Sequence, residues 1–229
     1  MQRRVYTAEA LAWLAANPLE AGHAVLTSLP DTSEVASLDF EAWQQWFSDV
    51  AARLVAATPA DSATIFYQTD IKREGLWVDK SYLVQRGAYA AGGRLLWHKI
   101  VCRVPAGTTT FGRPAYAHVL CFSRGLVDDV TRSTPDVLPR LGEMTWARAM
   151  GREAVEQCLD WLQAHTRTRV VVDPFCGRGT ALAAANLRGL DAIGVELSAK
   201  RAERARRLRL EPFVRGGSAR VEREPSDPA

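Results

Sequence analysis

Residues 170–180 read VVVDPFCGRGT, and the architecture of the chain follows from them. Three β-branched residues make a short buried strand. Asp173-Pro174-Phe175-Cys176 then leads into Gly177-Arg178-Gly179, and Thr180 opens a helix. Glycines behind a parallel strand let the backbone turn tightly and let a ligand approach main-chain N–H groups. The helix beginning at Thr180 presents unpaired N–H groups and a positive dipole end to that ligand. Its next residues, ALAAAN, are small enough to pack closely on a sheet, and Gly189 is a plausible stop. Further on, the following strand ends at Glu196 in the run IGVE. An acid there can accept both hydroxyls of an adenosine ribose. The dinucleotide pattern GxGxxG is absent, which argues against a nicotinamide or flavin enzyme.

On either side of this turn, helical and strand patterns alternate. Strands are expected at 3–6, 24–28, 63–68, 94–104, 115–123, 169–172 and 192–195, and helices at 8–16, 40–57, 81–91, 152–165, 180–188 and 200–210. The helix over 40–57 has the clearest stripe, with Phe40, Trp43, Phe47, Val50, Leu54 and Val55 on one face. Alternation of this kind builds a parallel α/β sheet with helices on both faces. The runs 94–104 and 115–123 have no helix between them, so they should form an antiparallel hairpin at one edge. The expected fold is Rossmann-like, seven-stranded and mostly parallel.

The chain has 229 residues, 47% hydrophobic and 24% charged, which excludes a disordered chain, a coiled coil and a small disulfide scaffold. Lys and Arg total 29 against 26 Asp and Glu, so the net charge of +3 permits a nucleic-acid partner without demanding one. Cys102, Cys121, Cys158 and Cys176 lie far apart, with no CxxC or Cys/His cluster, which suits a reducing cytoplasm and argues against a zinc site. Glu9 interrupts the apolar run near the amino terminus, so neither a signal peptide nor a membrane span is expected.

The run D-P-F-C-G-R-G-T, with I-G-V-E-L-S beyond it, closely resembles the S-adenosyl-L-methionine loop and second motif of amino-methyltransferases that modify DNA bases at exocyclic nitrogens. Those enzymes usually have Ser where Arg178 stands. The resemblance implies S-adenosyl-L-methionine as cofactor, held by Asp173, Pro174, Phe175, Cys176, Gly177, Gly179, Thr180, Glu196 and Leu197. The family often places an acid after its third strand. Tyr6-Thr7-Ala8 stands there, leaving Thr7 or the backbone to meet the adenine. Residues 95–99 (LLWHK) and 113–124 (RPAYAHVLCFSR) are similar to the family's edge strands. A polar H-P-T-Q-K-P loop is replaced before Arg152 by Arg148-Ala149-Met150-Gly151. Fewer than fifty residues follow Thr180, so the remaining strands must come from upstream. That order resembles the circularly permuted class of these enzymes, with residues 3–6 as the third strand.

The strand beside the cofactor strand ends in Thr27-Ser28-Leu29-Pro30-Asp31, where the family has S/D/N-P-P-aromatic. There the polar residue and a backbone carbonyl accept hydrogen bonds from the target NH2, and the aromatic ring stacks on the flipped base. Ser28 and Pro30 match. Leu29 replaces a proline and Asp31 the aromatic ring. Ser28, Pro30 and Asp31 are therefore the catalytic candidates, although residues 29–31 could equally just turn the chain, with Asp31 as a cap. Leu29, Gln68, Asp70 and Lys72 are candidates for substrate contact.

The chain reads as one methyltransferase domain over 1–210, with a catalytic half 1–124, a linker 125–143, a cofactor half 144–210 and a polar, flexible tail 211–229. The linker is too short for a target-recognition domain, which favours RNA slightly over DNA as the nucleic-acid partner. Specificity would then come from shape, a protein partner or a homodimer. A methyltransferase for a small molecule or protein, and a non-catalytic S-adenosyl-L-methionine-binding module, stay open. Basic residues gather at Lys200, Arg201, Arg204, Arg206, Arg207, Arg209 and Arg215, either as a phosphate-binding face or as a solvated one.

Overall fold

The computed structural model describes residues 1–35 and 37–213. The chain runs through β1 (Arg3–Thr7), α1 (Ala10–Ala16), β2 (His23–Thr27), α2 (Phe40–Ala57) and β3 (Thr64–Gln68). A small hairpin, β4 (Ile71–Arg73) and β5 (Leu76–Val78), precedes α3 (Lys80–Ala90). Then come the long strands β6 (Arg94–Cys102) and β7 (Tyr116–Ser123) and the two-residue β8 (Val137–Leu138). α4 (Arg152–His165), β9 (Val170–Asp173), α5 (Thr180–Leu187), β10 (Asp191–Glu196) and α6 (Ala199–Arg207) follow.

The main sheet has the order β1-β10-β9-β2-β3-β7-β6-β8. β1, β10, β9, β2 and β3 are mutually parallel, and β7 is antiparallel to both β3 and β6. The permuted order is thus present: β9, late in the chain, pairs with the early β2. Among the described residues the sheet has eight strands rather than seven. The addition is β8, which lies parallel to β6 at the far edge. The buried Lys99 ammonium donates to the carbonyls of Thr134 and Pro135, both at 3.0 Å, and so draws this part of 125–143 onto the sheet.

Alternation along the parallel strands feeds two cores. Leu26, Ile65 and Val171 face α4 and α5, where they meet Leu159, Leu162 and Leu182. Val25, Phe66 and Val172 face α2 and α3, where they meet Trp43, Phe47 and Val84. Because β2, β9, β10 and β1 run in register, Thr27, Asp173, Glu196 and Thr7 all finish at the same rim of the sheet, its carboxyl end. That rim is where open α/β sheets bind ligands.

The tail expected from residue 211 begins packed: the Glu211 carbonyl accepts from Arg152 Nη2 at 3.1 Å, and the Arg152 guanidinium sits over the Phe213 ring. Residues 214–229, with Arg215, lie outside the described residues. Among the described residues no helix is long and apolar enough to cross a membrane. The four cysteines form no disulfide.

Candidate active site

A cleft of about 420 Å³ opens at the carboxyl ends of β9, β10 and β2. The turn after β9 supplies Asp173, Pro174, Phe175, Cys176 and Gly177, and Thr180 starts α5 beside them. Glu196 and Leu197 come from the end of β10, and Ser28, Leu29 and Pro30 from the end of β2. The sequence-predicted cofactor loop and ribose acid therefore share one cavity with Ser28 and Pro30 of the catalytic segment, while Asp31 lies outside it.

Asp173 is fully buried, and burial pushes its carboxyl up to about 7. Two donors partly offset this: the Thr27 hydroxyl at 2.6 Å and the Phe175 N–H at 3.2 Å, both on Oδ1. Glu196 Oε1 accepts from the Ser198 N–H at 2.8 Å and from Arg201 Nε at 2.9 Å, so its carboxylate is fixed at the mouth. Burial likewise pushes the Cys176 thiol up, which makes it an inert wall rather than a nucleophile.

Gly177 adopts φ 54°, and a Cβ there would lie 2.9 Å from Trp146 Cζ2. Gly179, in the left-handed region at φ 84°, caps α5 and faces Ala205 rather than the cleft. Trp146, with Arg148, Ala149 and Met150, forms the opposite wall. The Arg178 guanidinium lies 5.1 Å from the Trp146 ring centroid, and Thr145 and Thr180 share a hydroxyl hydrogen bond at 2.6 Å. Arg178, at the position of the usual Ser, thus helps to hold that wall against the glycine turn. Trp46 of α2, edge-on to Phe175, adds another aromatic surface.

Sequence reading missed Trp46 and Trp146. Neither sits in a motif, and Trp46 is off the apolar stripe of α2. Glu9 was also missed, read only as a break in an apolar run. It lines the cleft two residues beyond β1, where an acid was thought absent, and it caps α1 through bonds from the Leu11 and Ala12 N–H groups. Thr7 is exposed, outside the cleft lining, and accepts from Arg206 Nη2 at 3.1 Å.

A second cavity of about 100 Å³ adjoins the first and shares Ser28 and Leu29 with it. Asp31 and Asp70 line this cavity, but both carboxylates are engaged. Asp31 caps the turn at Thr32–Glu34, accepting from the Thr32 N–H at 3.1 Å, and pairs with the buried Lys80 ammonium at 3.5 Å. Asp70 accepts from Trp77 Nε1 and from the Lys80 N–H, both at 2.9 Å, and lies 3.0 Å from His118 Nε2. Asp70, Asp79 and His118 bring ligand-type atoms within 4.8 Å of one another, yet Asp79 caps α3 and the Asp70 oxygens are filled. The cluster is an anchor. Gln68 is buried, lines neither cavity, and its amide atoms find no partner among the described residues. The residue before it, Tyr67, lines the second cavity instead, because successive strand side chains face opposite ways. Lys72 is exposed on the β4–β5 hairpin, its ammonium 4.8 Å from the Trp77 ring centroid.

Part of the basic run in and just beyond α6 bonds within the molecule, while Lys200, Arg207 and Arg209 stay exposed. Arg201 holds Glu196, Arg206 reaches the Val5 carbonyl at 2.8 Å, and Arg207 pairs with Glu203.

No family profile matches the chain, and no curated protein matches it in sequence. Solved structures do. A candidate DNA modification methylase from Thermus thermophilus, complexed with S-adenosyl-L-methionine, aligns over 89% of this chain and 91% of its own at TM-score 0.69 and 21% identity. The PvuII DNA methyltransferase, cytosine-N4-specific, aligns over 91% of this chain and 87% of its own at TM-score 0.70 and 17% identity. The M1.HpyAVI–SAM complex covers 89% and 98% at TM-score 0.60 and 13% identity. The chain therefore has the Rossmann-like fold of these methyltransferases, shared over nearly its whole described length.

Proposed function

We propose that this protein is an S-adenosyl-L-methionine-dependent methyltransferase acting on an exocyclic amino nitrogen of a nucleic-acid base, with DNA as the substrate. The observation that carries the reading is the convergence of Asp173, the Gly177 turn, Glu196 and Ser28 on one cleft at the carboxyl rim of the sheet. The cleft volume lies within the range of about 300–1,000 Å³ usual for small-molecule sites. Acids closing two neighbouring strands of an aromatic-walled cavity suit a ligand that carries a ribose diol, a base and a cationic amino acid. Glu196 would accept from the ribose hydroxyls, Phe175 and Trp46 would flank the adenine, and Asp173 with the Gly177 main chain would meet the amino-acid end. When bound, the cofactor supplies an activated methyl group.

The remaining work falls to the segment after β2. Ser28 is half-buried at the junction of the two cavities, where its hydroxyl can accept from a target amino group. The Pro30 carbonyl already accepts from Trp43 Nε1 at 3.3 Å, which leaves the Leu29 carbonyl as the second acceptor. Drawing both amino protons into hydrogen bonds turns the nitrogen lone pair out of conjugation with the ring, so that it can attack. Asp31, tied to Lys80 and to its own turn, positions this segment. Tyr67, on the wall of the second cavity, is the aromatic surface closest in kind to the stacking ring that Asp31 replaces.

The preference for RNA rested on the absence of a recognition domain. That ground is weak: the PvuII enzyme acts on DNA with a chain matched over 87% of its length by this one. Size alone does not disfavour DNA.

Isotopically labelled S-adenosyl-L-methionine offered with separate DNA, RNA and protein fractions tests the reading. Label is expected in DNA, with Ser28→Ala slowing transfer by about 10-fold or more while cofactor affinity holds, since one hydrogen bond to the reacting group contributes about 1–3 kcal/mol. Label confined to protein or RNA, or absent from every fraction, would overturn it.

A further inference from the structure

The β4–β5 hairpin has no part in the cofactor cleft, and its construction is unusual. Each strand has three residues, too short for a hairpin to be stable alone. Its turn, Glu74-Gly75, takes φ 51° and φ 79°, the left-handed pair that matches strand twist in a two-residue loop. The side chains it displays are apolar and basic: Leu76 is 73% exposed, Trp77 is 48% exposed, and Lys72 and Arg73 are both exposed.

A buried carboxylate holds this surface in place. Asp70, 2% exposed at the root of the hairpin, accepts the Trp77 indole N–H, and the same oxygen lies 3.0 Å from His118 Nε2. His118 Nδ1 in turn lies 2.9 Å from His98 Nε2. The Trp77 ring is nearly parallel to that of Tyr116, at 6.4 Å and 22°. Lys72 sits over Trp77, and Arg73 sits 4.5 Å from the Phe40 ring centroid. Burying a carboxylate costs free energy even when it is well bonded. Here that cost fixes an exposed indole.

Location supplies the partner. Asp70 and Ile71 line the second cavity, which opens beside Ser28, and Arg103 and Arg113 stand on its wall. The loop carrying Arg113 also presents Phe111, 91% exposed. Aromatic and aliphatic side chains interleaved with cations around a base-sized opening are what a nucleic-acid strand requires, because bases stack on the former while phosphates pair with the latter. Resting on the reading of the chain as a DNA methyltransferase, we infer that the β4–β5 hairpin grips the DNA around the extruded base: Leu76 fills the space it leaves, the pinned Trp77 ring on the opposite face stiffens the hairpin, and Lys72, Arg73 and Arg113 hold the flanking phosphates. It does the work for which sequence reading found no separate domain.

The test compares wild type with Leu76→Ser, with the pair Lys72→Glu and Arg73→Glu, and with Arg113→Ala. Each is read for anisotropy with a fluorescein-labelled mixed-sequence duplex, for calorimetric cofactor affinity and for methyl transfer. None of these substitutions touches the Asp70 anchor, so the fold is expected to persist, which circular dichroism checks. The double charge reversal should weaken duplex binding at least tenfold, and Arg113→Ala should reduce the salt slope by about one. Leu76→Ser should abolish the fluorescence rise of 2-aminopurine at the target position. Cofactor affinity should stay within twofold throughout. Wild-type transfer to DNA with unchanged binding and transfer in all variants would overturn the hairpin's role while leaving the methyltransferase reading intact. Wild type that binds cofactor but transfers to protein alone would overturn both.

Discussion

Asp173 shows how a binding site costs stability. Its carboxyl is ordinary in the unfolded chain but is raised to about 7 by burial in the fold. Folding therefore takes up a proton between pH about 4 and about 7, and stability falls as pH rises through that window, then levels off above it. Asp173→Asn keeps an oxygen for the Thr27 hydroxyl and the Phe175 N–H but removes the titration. The variant should be more stable than wild type at pH 8 by about 2–4 kcal/mol, with the advantage vanishing near pH 4. Urea unfolding across that range measures this, and a difference independent of pH would contradict it. Single residues were unevenly legible in the sequence. Asp173 and Glu196 stand in a motif with fixed offsets from strand ends, so their place at the cleft could be read directly. Tyr67, rather than the expected Gln68, lines a cavity, and the sequence does not reveal this because β3 is buried on both faces and carries no polar alternation to show which side chain points where.

Elements were legible where they are long and capped. α2 and α4 begin and end where periodicity places them, and Asp39 caps α2 by accepting from the Ala42 N–H at 2.8 Å. β4, β5 and β8 were invisible, since two or three residues cannot establish a period and their order comes from Asp70 and Lys99, which act from other elements. The packing of α3 on α2 has a similar hidden requirement. A Cβ at Gly87 would lie 2.0 Å from the Ser48 carbonyl oxygen and 3.1 Å from Ala51 Cβ. Alanine is the better helix former by about 1 kcal/mol, but overpacking of this kind costs about 1–3 kcal/mol or more. Gly87→Ala should therefore lower the urea midpoint. A raised midpoint would mean that the helices separate at little cost.

The early strand β1 completes the sheet beside the late strand β10, and Arg3 Nη1 donates to the carbonyls of Ala205 and Leu208 at 2.9 and 2.7 Å. The two ends of the described chain are thereby locked together, and the permuted order yields one continuous sheet. The glycine turn made that arrangement readable, because too few residues follow it to build the remaining strands. The same global view adds detail to two expectations: along α6 and just beyond it, Arg201 and Arg206 bond to Glu196 and the Val5 carbonyl while Arg207 and Arg209 stay exposed, and Val137–Leu138 of the linker over 125–143 pairs at the sheet edge. What the assembled sheet creates is a cleft with Asp173 and Glu196 among its walls, and the whole functional reading depends on what enters it. Calorimetric titration of the purified chain with S-adenosyl-L-methionine tests this directly. One molecule per chain should bind. Glu196→Ala should weaken binding about 10- to 100-fold, as expected for losing a charge-assisted hydrogen bond of about 1.5–3 kcal/mol, and NADH should not compete. Equal affinity in the variant, or binding of NADH in place of S-adenosyl-L-methionine, would contradict the assignment.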